Sequence, residues 1–406
     1  MVISHILTWA LLAAEICLAF PVAYLCILSC SALISARKRA SEVAHYASNQ
    51  EPAQTRFAIL IPAHNEEMIL GILLKSLSQL DYPQNLYTVY VIADNCTDTT
   101  AQLAGQFDGV QVYERFDEVK RGKGYALNWI WQQLENHPQD AYIILDADSV
   151  VVPTFLRSMD RELARGAKAL QACNTVLNVT ESPGTALRWV ALTLMNHVRP
   201  LGRNGIGGSS TLTGNGMCLS RDILARYPWQ AFGIAEDYQY YLTLVQHSER
   251  VRYVPEAIVR SQMPTTFAQM RTQDVRWEAA EPQQSQWHTA LQLLRTGLST
   301  KSFVLIDAML ELLTPPLSFM VASCLLAFVA SLLLRSPLEI IFSNIILAGL
   351  AYYIATALYL LQAPRAVYKA LLHAPGFILW KLWVYFVLSR SRKHNHEWVR
   401  TARTPS

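Results

Sequence analysis

Two aspartates one residue apart, Asp146 and Asp148, close the apolar run at residues 141–145. In an open α/β sheet, ligands bind at the C-terminal ends of the strands, where these carboxylates would emerge. Such a pair suits a hard divalent cation, Mg²⁺ or Mn²⁺, which in turn holds a diphosphate. Acidic pairs also cap helices and solvate loops, so the pair gains meaning only from its companions. One companion is Glu236-Asp237, which opens an amphipathic helical pattern. Acidic residues there are ordinary complements of a helix N-terminus. Asp237 can also serve as a general base, held ionised by that terminus. A third set is Gln273, Arg276 and Trp277, spaced to share one helical face. The indole can stack on a sugar ring, and the guanidinium can bind phosphate or a hydroxyl. Residues 205–216 are rich in glycine and serine and read either as backbone approaching a ligand or as a simple turn.

The elements that must position these residues alternate between strand and helix. Residues 57–61, 87–93, 110–113 and 142–145 have the composition of buried strands, and residues 69–80 carry helical apolar spacing. Alternation of this kind predicts a doubly wound, mostly parallel sheet. The strand ends are marked by Asn65-Glu66-Glu67, by Asp94 to Asp98 and by Asp146 with Asp148, three polar clusters on one sheet edge that describe a nucleotide site. No Gly-x-Gly-x-x-Gly follows the first strand and no phosphate-loop lysine motif is present, which excludes the common dinucleotide and ATPase signatures.

The 406 residues are 52% hydrophobic and 16% charged, with a net charge of +3. That charge is too small to indicate nucleic acid. The apolar residues gather at the two ends. Residues 6–34 are long enough to span a bilayer and are followed by Arg37-Lys38-Arg39, which predicts an uncleaved anchor with its N-terminus outside. Glu15 within it is expected near the outer interface or packed against a neighbouring helix. Residues 317–334 and 338–361 are two further spans around the turn at residues 335–337. Residues 371–388 are apolar but flanked at both ends by basic residues, which fits an interfacial or re-entrant helix better than a full crossing as a third C-terminal span. The seven cysteines form no Cys-x-x-Cys pair, so a zinc or disulfide framework has no support and the middle of the chain reads as cytosolic.

In order along the chain stand residues 61–66 (Ile-Pro-Ala-His-Asn-Glu), Asp94 and Asp98, residues 122–128 (Gly-Lys-Gly-Tyr-Ala-Leu-Asn), Asp146 and Asp148, Glu236-Asp237, and Gln273 with Arg276-Trp277. This set resembles the membrane-embedded family-2 glycosyltransferases, which include cellulose, chitin, hyaluronan and poly-N-acetylglucosamine synthases and ceramide glucosyltransferases. The resemblance covers about residues 55–300. It implies a GT-A-type α/β fold with one N-terminal and two to three C-terminal membrane helices. It implies that Pro62, Ala63, Glu66 and Asp94 line the uridine pocket and that Lys123 faces the diphosphate. Asp146 would contact the nucleotide, Asp148 would hold Mg²⁺ or Mn²⁺, and Asp237 would be the base. Gln273, Arg276 and Trp277 would hold the acceptor or the diphosphate. Residues 397–403 are similar to the gating loop of the polymerising members, with Trp398, Thr401 and Arg403 as its candidate residues; a solvated basic tail is the alternative.

The expected organisation is an anchor at residues 1–36, a linker at 37–54, the catalytic domain at 55–300, membrane helices at 301–390 and a cytosolic tail at 391–406. Two departures bear on the product. Ala235 stands where polymerising members carry threonine, and three crossings are few for a pore that must shield a polar glycan from lipid. The expected reaction is inverting transfer from a UDP-sugar to a growing exopolysaccharide, favoured by the tail, or to a membrane lipid. A homo-oligomer or export partner would be needed to complete a pore. A non-catalytic nucleotide-sugar binder and a nucleotidyltransferase are the rivals. The first makes no use of Asp237, and the second makes none of the Gln273–Trp277 face.

Overall fold

The computed structural model describes residues 2–48, 52–135, 137–233, 235–265, 270 and 286–391. It divides into two units, a sheet-bearing unit formed by residues 42–178 and 209–283 and a helical unit formed by residues 1–41, 179–208 and 284–394.

In the sheet-bearing unit the strands are β1 (Phe57–Ala63), β2 (Tyr87–Asp94), β3 (Val110–Arg115), β4 (Ala141–Ile144), β5 (Ser149–Val151), β6 (Ala169–Val176), β7 (Met217–Ser220) and β8 (Val251–Ser261). Among the described residues they form one sheet in the order β3-β2-β1-β4-β7-β6-β8-β5. The half β3-β2-β1-β4 is parallel throughout. β7 runs antiparallel to both of its neighbours, and β6 pairs in parallel with β8. Phe57, Ile59 and Ile61 on one face of β1 and Ala58 and Leu60 on the other are all buried, as a strand covered on both faces requires. The connecting helices include α2 (Leu70–Leu77), α3 (Thr100–Ala104), α4 (Lys123–Leu134) and α5 (Phe155–Ala164), with α8 (Arg221–Arg226) and α9 (Glu236–Gln246) later in the chain. Leu70, Leu73, Leu74 and Leu77 give α2 one apolar face, which joins the core under β1. Each fully buried leucine there contributes roughly 1.5–3 kcal/mol of transfer free energy.

The helical unit holds three helices long and apolar enough to cross a membrane: within α1 (Val2–Ser48), and α12 (Leu317–Leu334) and α13 (Pro337–Leu360). Leu326, Leu333, Ile341 and Ile345 stand exposed on these helices, as lipid-facing side chains would. The first helix continues through Ser48, so the stretch expected as linker is helical over most of its length. Residues 37–48 contain neither glycine nor proline, and nothing in them ends a helix. Glu15 is fully buried and accepts a hydrogen bond from Ser343 of α13, the neighbour-helix alternative of the two expected for it. Residues 371–388 fold as a short 3₁₀ turn and α15 (Ala374–Ser391).

The helical unit also takes in α6 (Pro183–Thr193) and α7 (Arg199–Gly205), joined by a π-helical turn at Leu194–Val198. This insertion lies inside the stretch that the strand–helix alternation assigned to a single domain. Its entry is a capping box, with Ser182 accepting from the Thr185 amide and Thr185 accepting from that of Ser182. It packs tightly on α1 at Gly202, where a Cβ would strike the Leu28 backbone, and Ser31 Oγ donates to Gly202 O at 2.8 Å. The charges on α7 are buried and paired with α11 (Phe303–Leu313). Arg203 Nε lies 2.9 Å from Asp307 Oδ2, Tyr24 Oη donates to the other oxygen, Asp307 Oδ1, and Arg199 Nη1 lies 3.2 Å from Glu311 Oε1. Breaking such a pair from one side strands a buried charge. Asp307→Ala should therefore cost about 3–5 kcal/mol of stability, read as a large drop in Tm in detergent. The double change Arg203→Met with Asp307→Leu should recover much of that loss.

Candidate active site

Parallel pairing puts the C-terminal ends of β1, β2 and β4 on one edge. Ala63 is in register with Ala93, one residue before Asp94, and Leu60 with Ile144, two residues before Asp146. Pro62, Ala63 and Glu66 stand in or just beyond the end of β1, and Asp94 ends β2. The loops are shaped by Asn65 and Asn95, which take φ of 55° and 53°, a left-handed region in which asparagine is tolerated. Asn65 Oδ1 accepts from the Thr97 amide at 2.7 Å, and Asn95 Oδ1 accepts from that of Asp117 at 2.8 Å.

Not every acid in these clusters is free for chemistry. Asp98 accepts from the Thr100 amide and hydroxyl through one oxygen and from the Glu67 amide through the other. Glu67 accepts from the Thr99 amide and hydroxyl. Both carboxylates hold the loops together. Asp94 is buried and paired with Arg115, whose Nη1 lies 2.5 Å from Asp94 Oδ1 while Nη2 reaches Lys120 O and Asp117. Burial still lifts the Asp94 carboxyl above the ordinary carboxylate range, with Arg115 opposing it. Arg115 carries no motif of its own in the sequence. Its signal lies in strand register alone, since the last residue of β3 stands beside the last residue of β2.

A cluster of charges at this edge is centred on Lys123, the first residue of α4. Gly122, at φ 113°, turns the chain into the helix there. Lys123 Nζ lies 2.5 Å from Asp146 Oδ1, 2.5 Å from Gly214 O and 4.0 Å from Glu236 Oε1. Burial pulls the ammonium's pKa down, but Asp146, Glu236 and Asp237 together push harder and the net shift is upward. Glu236 and Asp237 begin α9. Desolvation pushes Glu236 up to about 7, against the pull of Lys123. It likewise raises Asp237, whose Oδ1 accepts from the Tyr238 amide at 2.8 Å. The helix terminus, expected to hold Asp237 ionised, favours the charged form, while burial opposes it and moves the carboxyl upward from the ordinary range.

Around one ammonium thus stand three carboxylates, Asp146, Glu236 and Asp237, and Asp148 lies partly exposed two residues beyond the first. The excess of negative charge fits a divalent cation. Among the described residues no three His, Cys, Asp or Glu side chains converge as a complete ligand set. The carboxylates fit Mg²⁺ or Mn²⁺ in the manner of sites that take one or two protein oxygens and complete the shell with substrate phosphates and water.

A second residue without a motif of its own in the sequence, Asn215, locks this arrangement. It is buried between Gly214 and Gly216, which take φ of 75° and 73°. Asn215 Oδ1 accepts from the Asp146 amide at 3.2 Å, and Nδ2 donates to Ser149 Oγ at 2.8 Å and Ser261 Oγ at 3.1 Å. Gln171 donates to Asn215 O and accepts from the Thr213 amide. The Gly214 loop is thereby held against Asp237, whose Oδ2 would lie 3.0 Å from a Cβ at Gly214. Asn215→Ala leaves the partners of both amide ends unmatched and should cost about 1–3 kcal/mol, visible as a lowered Tm. Asn215→Asp keeps the shape but loses two donors, and should weaken activity through kcat more than through KM. Gln273, Arg276 and Trp277, like Trp398, Thr401 and Arg403, lie outside the described residues.

Residues 52–280 match the glycosyltransferase-like family 2. The beta-monoglucosyldiacylglycerol synthase of Nostoc sp. (strain PCC 7120) is 30% identical over 189 residues, 44% of this chain and 39% of that protein. The probable glycosyltransferase YdaM of Bacillus subtilis is 24% identical over 235 residues, 55% of this chain and 54% of that one. The chain therefore spans about two fifths to one half of the length of these relatives. Among solved structures, the mannosyltransferase PcManGT from Pyrobaculum calidifontis, in complex with GDP-Man and Mn²⁺, superposes with a TM-score of 0.50 at 14% identity, over 82% of this chain and 99% of that one. That likeness concerns the fold, which is of the GT-A type. With more than half of its length inside the family match, the chain belongs to glycosyltransferase-like family 2.

Proposed function

We propose that this protein is a metal-dependent, inverting glycosyltransferase that moves a hexosyl or N-acetylhexosaminyl unit from a UDP-sugar to a hydroxyl of a membrane lipid. The observation that carries this reading is the gathering of Asp146, Glu236 and Asp237 around Lys123 at the start of α4. Three apolar helices in the same chain and a diacylglycerol-glucosylating relative favour a lipid acceptor. A growing polysaccharide is the second reading. Its support is the similarity of residues 397–403 to a gating loop, and the structure adds nothing to it. The basic residues 37–39 after the first apolar stretch favour an outer N-terminus and a cytosolic catalytic unit.

In the proposed step, the acceptor oxygen bonds to the anomeric carbon from the face opposite UDP. The bond from that carbon to the diphosphate oxygen breaks, and its electron pair leaves with UDP. Asp237 takes the acceptor proton as the new bond forms. Lys123 faces the diphosphate and neutralises part of the charge that develops on it. Asp94, held by Arg115, faces the base of the nucleotide from the end of β2. A divalent cation held by Asp148 and Asp146 would supply Lewis-acid stabilisation of the departing diphosphate when bound. No second carboxylate nucleophile is needed, because one displacement inverts the centre.

The test is UDP release by the full chain in lipid nanodiscs containing diacylglycerol, across a panel of UDP-sugars. Turnover with one donor and a glycolipid product is expected. Asp237→Asn should lose about 10²–10⁴-fold in kcat while still binding UDP. The pH profile follows from the raised Asp237 pKa. The base acts only when ionised, so kcat/KM should fall as pH drops through a value above the ordinary carboxylate range of about 4. An acid limb near 4, or undiminished turnover in Asp237→Asn, would contradict the assignment.

A further inference from the structure

Beside the Lys123 site lies a cavity of about 530 Å³ that the proposed transfer does not use. Its size falls within the range of small-molecule sites, roughly 300–1,000 Å³. One wall is the outer face of α4, where Tyr125, Asn128, Trp129 and Gln132 recur at helical spacing. The opposite face of α4 carries the buried Ala126, Leu127, Ile130 and Leu134. The end of β3 and the connection to α4 supply a second wall, and Phe232 also lines the cavity.

The wall has a specific chemistry. Tyr125 and Phe232 stack with ring centroids 4.6 Å apart and planes 13° from parallel. Trp129 is braced edge-on by Tyr113 at 6.2 Å. Phe232 remains 39% exposed, so the stack does not bury it. The polar groups beside these rings are the Asn128 and Gln132 amides, the Trp129 indole N–H and the Tyr125 hydroxyl. None of the four makes a hydrogen bond to another described residue. The charges on the second wall balance, Glu114 and Asp117 against Arg115 and Lys120, and Arg115 is already committed to Asp94 and Asp117. Aromatic faces beside uncommitted amides, with no surplus positive charge, suit a neutral polyhydroxylated ring and not a phosphate.

The cavity also touches both sides of the candidate active site. Arg115 lines it and clamps Asp94. Phe232 lies five residues before Asp237, and its neighbour Ala231 packs so closely on Gly124, next to Lys123, that no Cβ fits there. We infer that this cavity is an accessory binding site for a neutral pyranose, the sugar end of a glycan or the headgroup of a glycolipid. Its accessory role rests on the transferase reading, while its ligand chemistry rests on its own residues.

The test uses the full chain in nanodiscs with UDP held saturating, so that the donor pocket is filled. Soluble disaccharides of glucose, galactose, mannose and N-acetylglucosamine are titrated in turn and followed by saturation-transfer difference NMR. At least one should bind saturably, with a Kd of about 1 mM, equivalent to roughly −4 kcal/mol. Gln132→Ala and Asn128→Ala, which alter an exposed and a half-buried polar side chain, should each weaken that binding severalfold, and Trp129→Ala should abolish it. Asp237→Asn should leave it unchanged. A second arm repeats the titration in nanodiscs containing a glucosylated diacylglycerol. Loss of the soluble signal there identifies the lipid headgroup as occupant, and its persistence identifies a glycan. No saturable binding in either arm, or binding that survives both amide substitutions and Trp129→Ala, would overturn the inference. Binding does not require turnover, so absence of UDP release would defeat the transferase reading without touching this result.

Discussion

The site depends on one electrostatic constraint: a single ammonium, Lys123 Nζ, lies among Asp146, Glu236 and Asp237, with too little positive charge to balance them. Carboxylates gathered in one place repel one another, burial of Glu236 and Asp237 adds desolvation, and a lone cation relieves only part of that. The cluster is therefore not a structural optimum. It is the kind of arrangement that a divalent cation and a diphosphate can complete while bringing their own charges into balance. The raised Glu236 and Asp237 pKa values are the same fact seen from the acids' side.

Much of the surrounding structure holds that arrangement in place. Parallel register aligns the ends of β1, β2 and β4, so residues far apart in sequence emerge together. Gly214 and Gly216 take backbone angles that side chains rarely adopt, and they let the intervening Asn215 reach the Asp146 amide on one side and Ser149 and Ser261 on the other. Arg115 does the same for Asp94 by a buried ion pair. In the helical unit, the buried pairs of Arg199 and Arg203 with Glu311 and Asp307 fix α7 against α11.

What could be read from the sequence was what depends on local pattern. The four strands of the parallel half, the carboxylates at their ends, the glycine turn before Lys123 and the three apolar helices all carry signals within a dozen residues. What could not be read depends on register between distant segments. Arg115 ends an ordinary strand, and Asn215 stands in a loop whose glycines alone drew notice. Asp98 and Glu67 have the residue type and place of ligand-binding acids, yet their oxygens are taken by loop amides and hydroxyls, a distinction only coordinates reveal. The insertion at residues 183–205 was hidden because its three arginines lower its mean hydropathy, although all three are buried. The helix terminus at Asp237 is visible in sequence, whereas the burial that raises its carboxyl is not.

The most direct test of the account is calorimetric titration of the full chain in nanodiscs with UDP, in Mn²⁺ and in chelator, for the wild type and for Asp146→Asn with Asp148→Asn. If the unbalanced carboxylates beside Lys123 are a diphosphate site completed by a divalent cation, Mn²⁺ should tighten UDP at least tenfold, about 1.4 kcal/mol, and the double substitution should erase that gain. Equal UDP affinity in Mn²⁺ and in chelator, or a Mn²⁺ gain that survives loss of both aspartates, would contradict it.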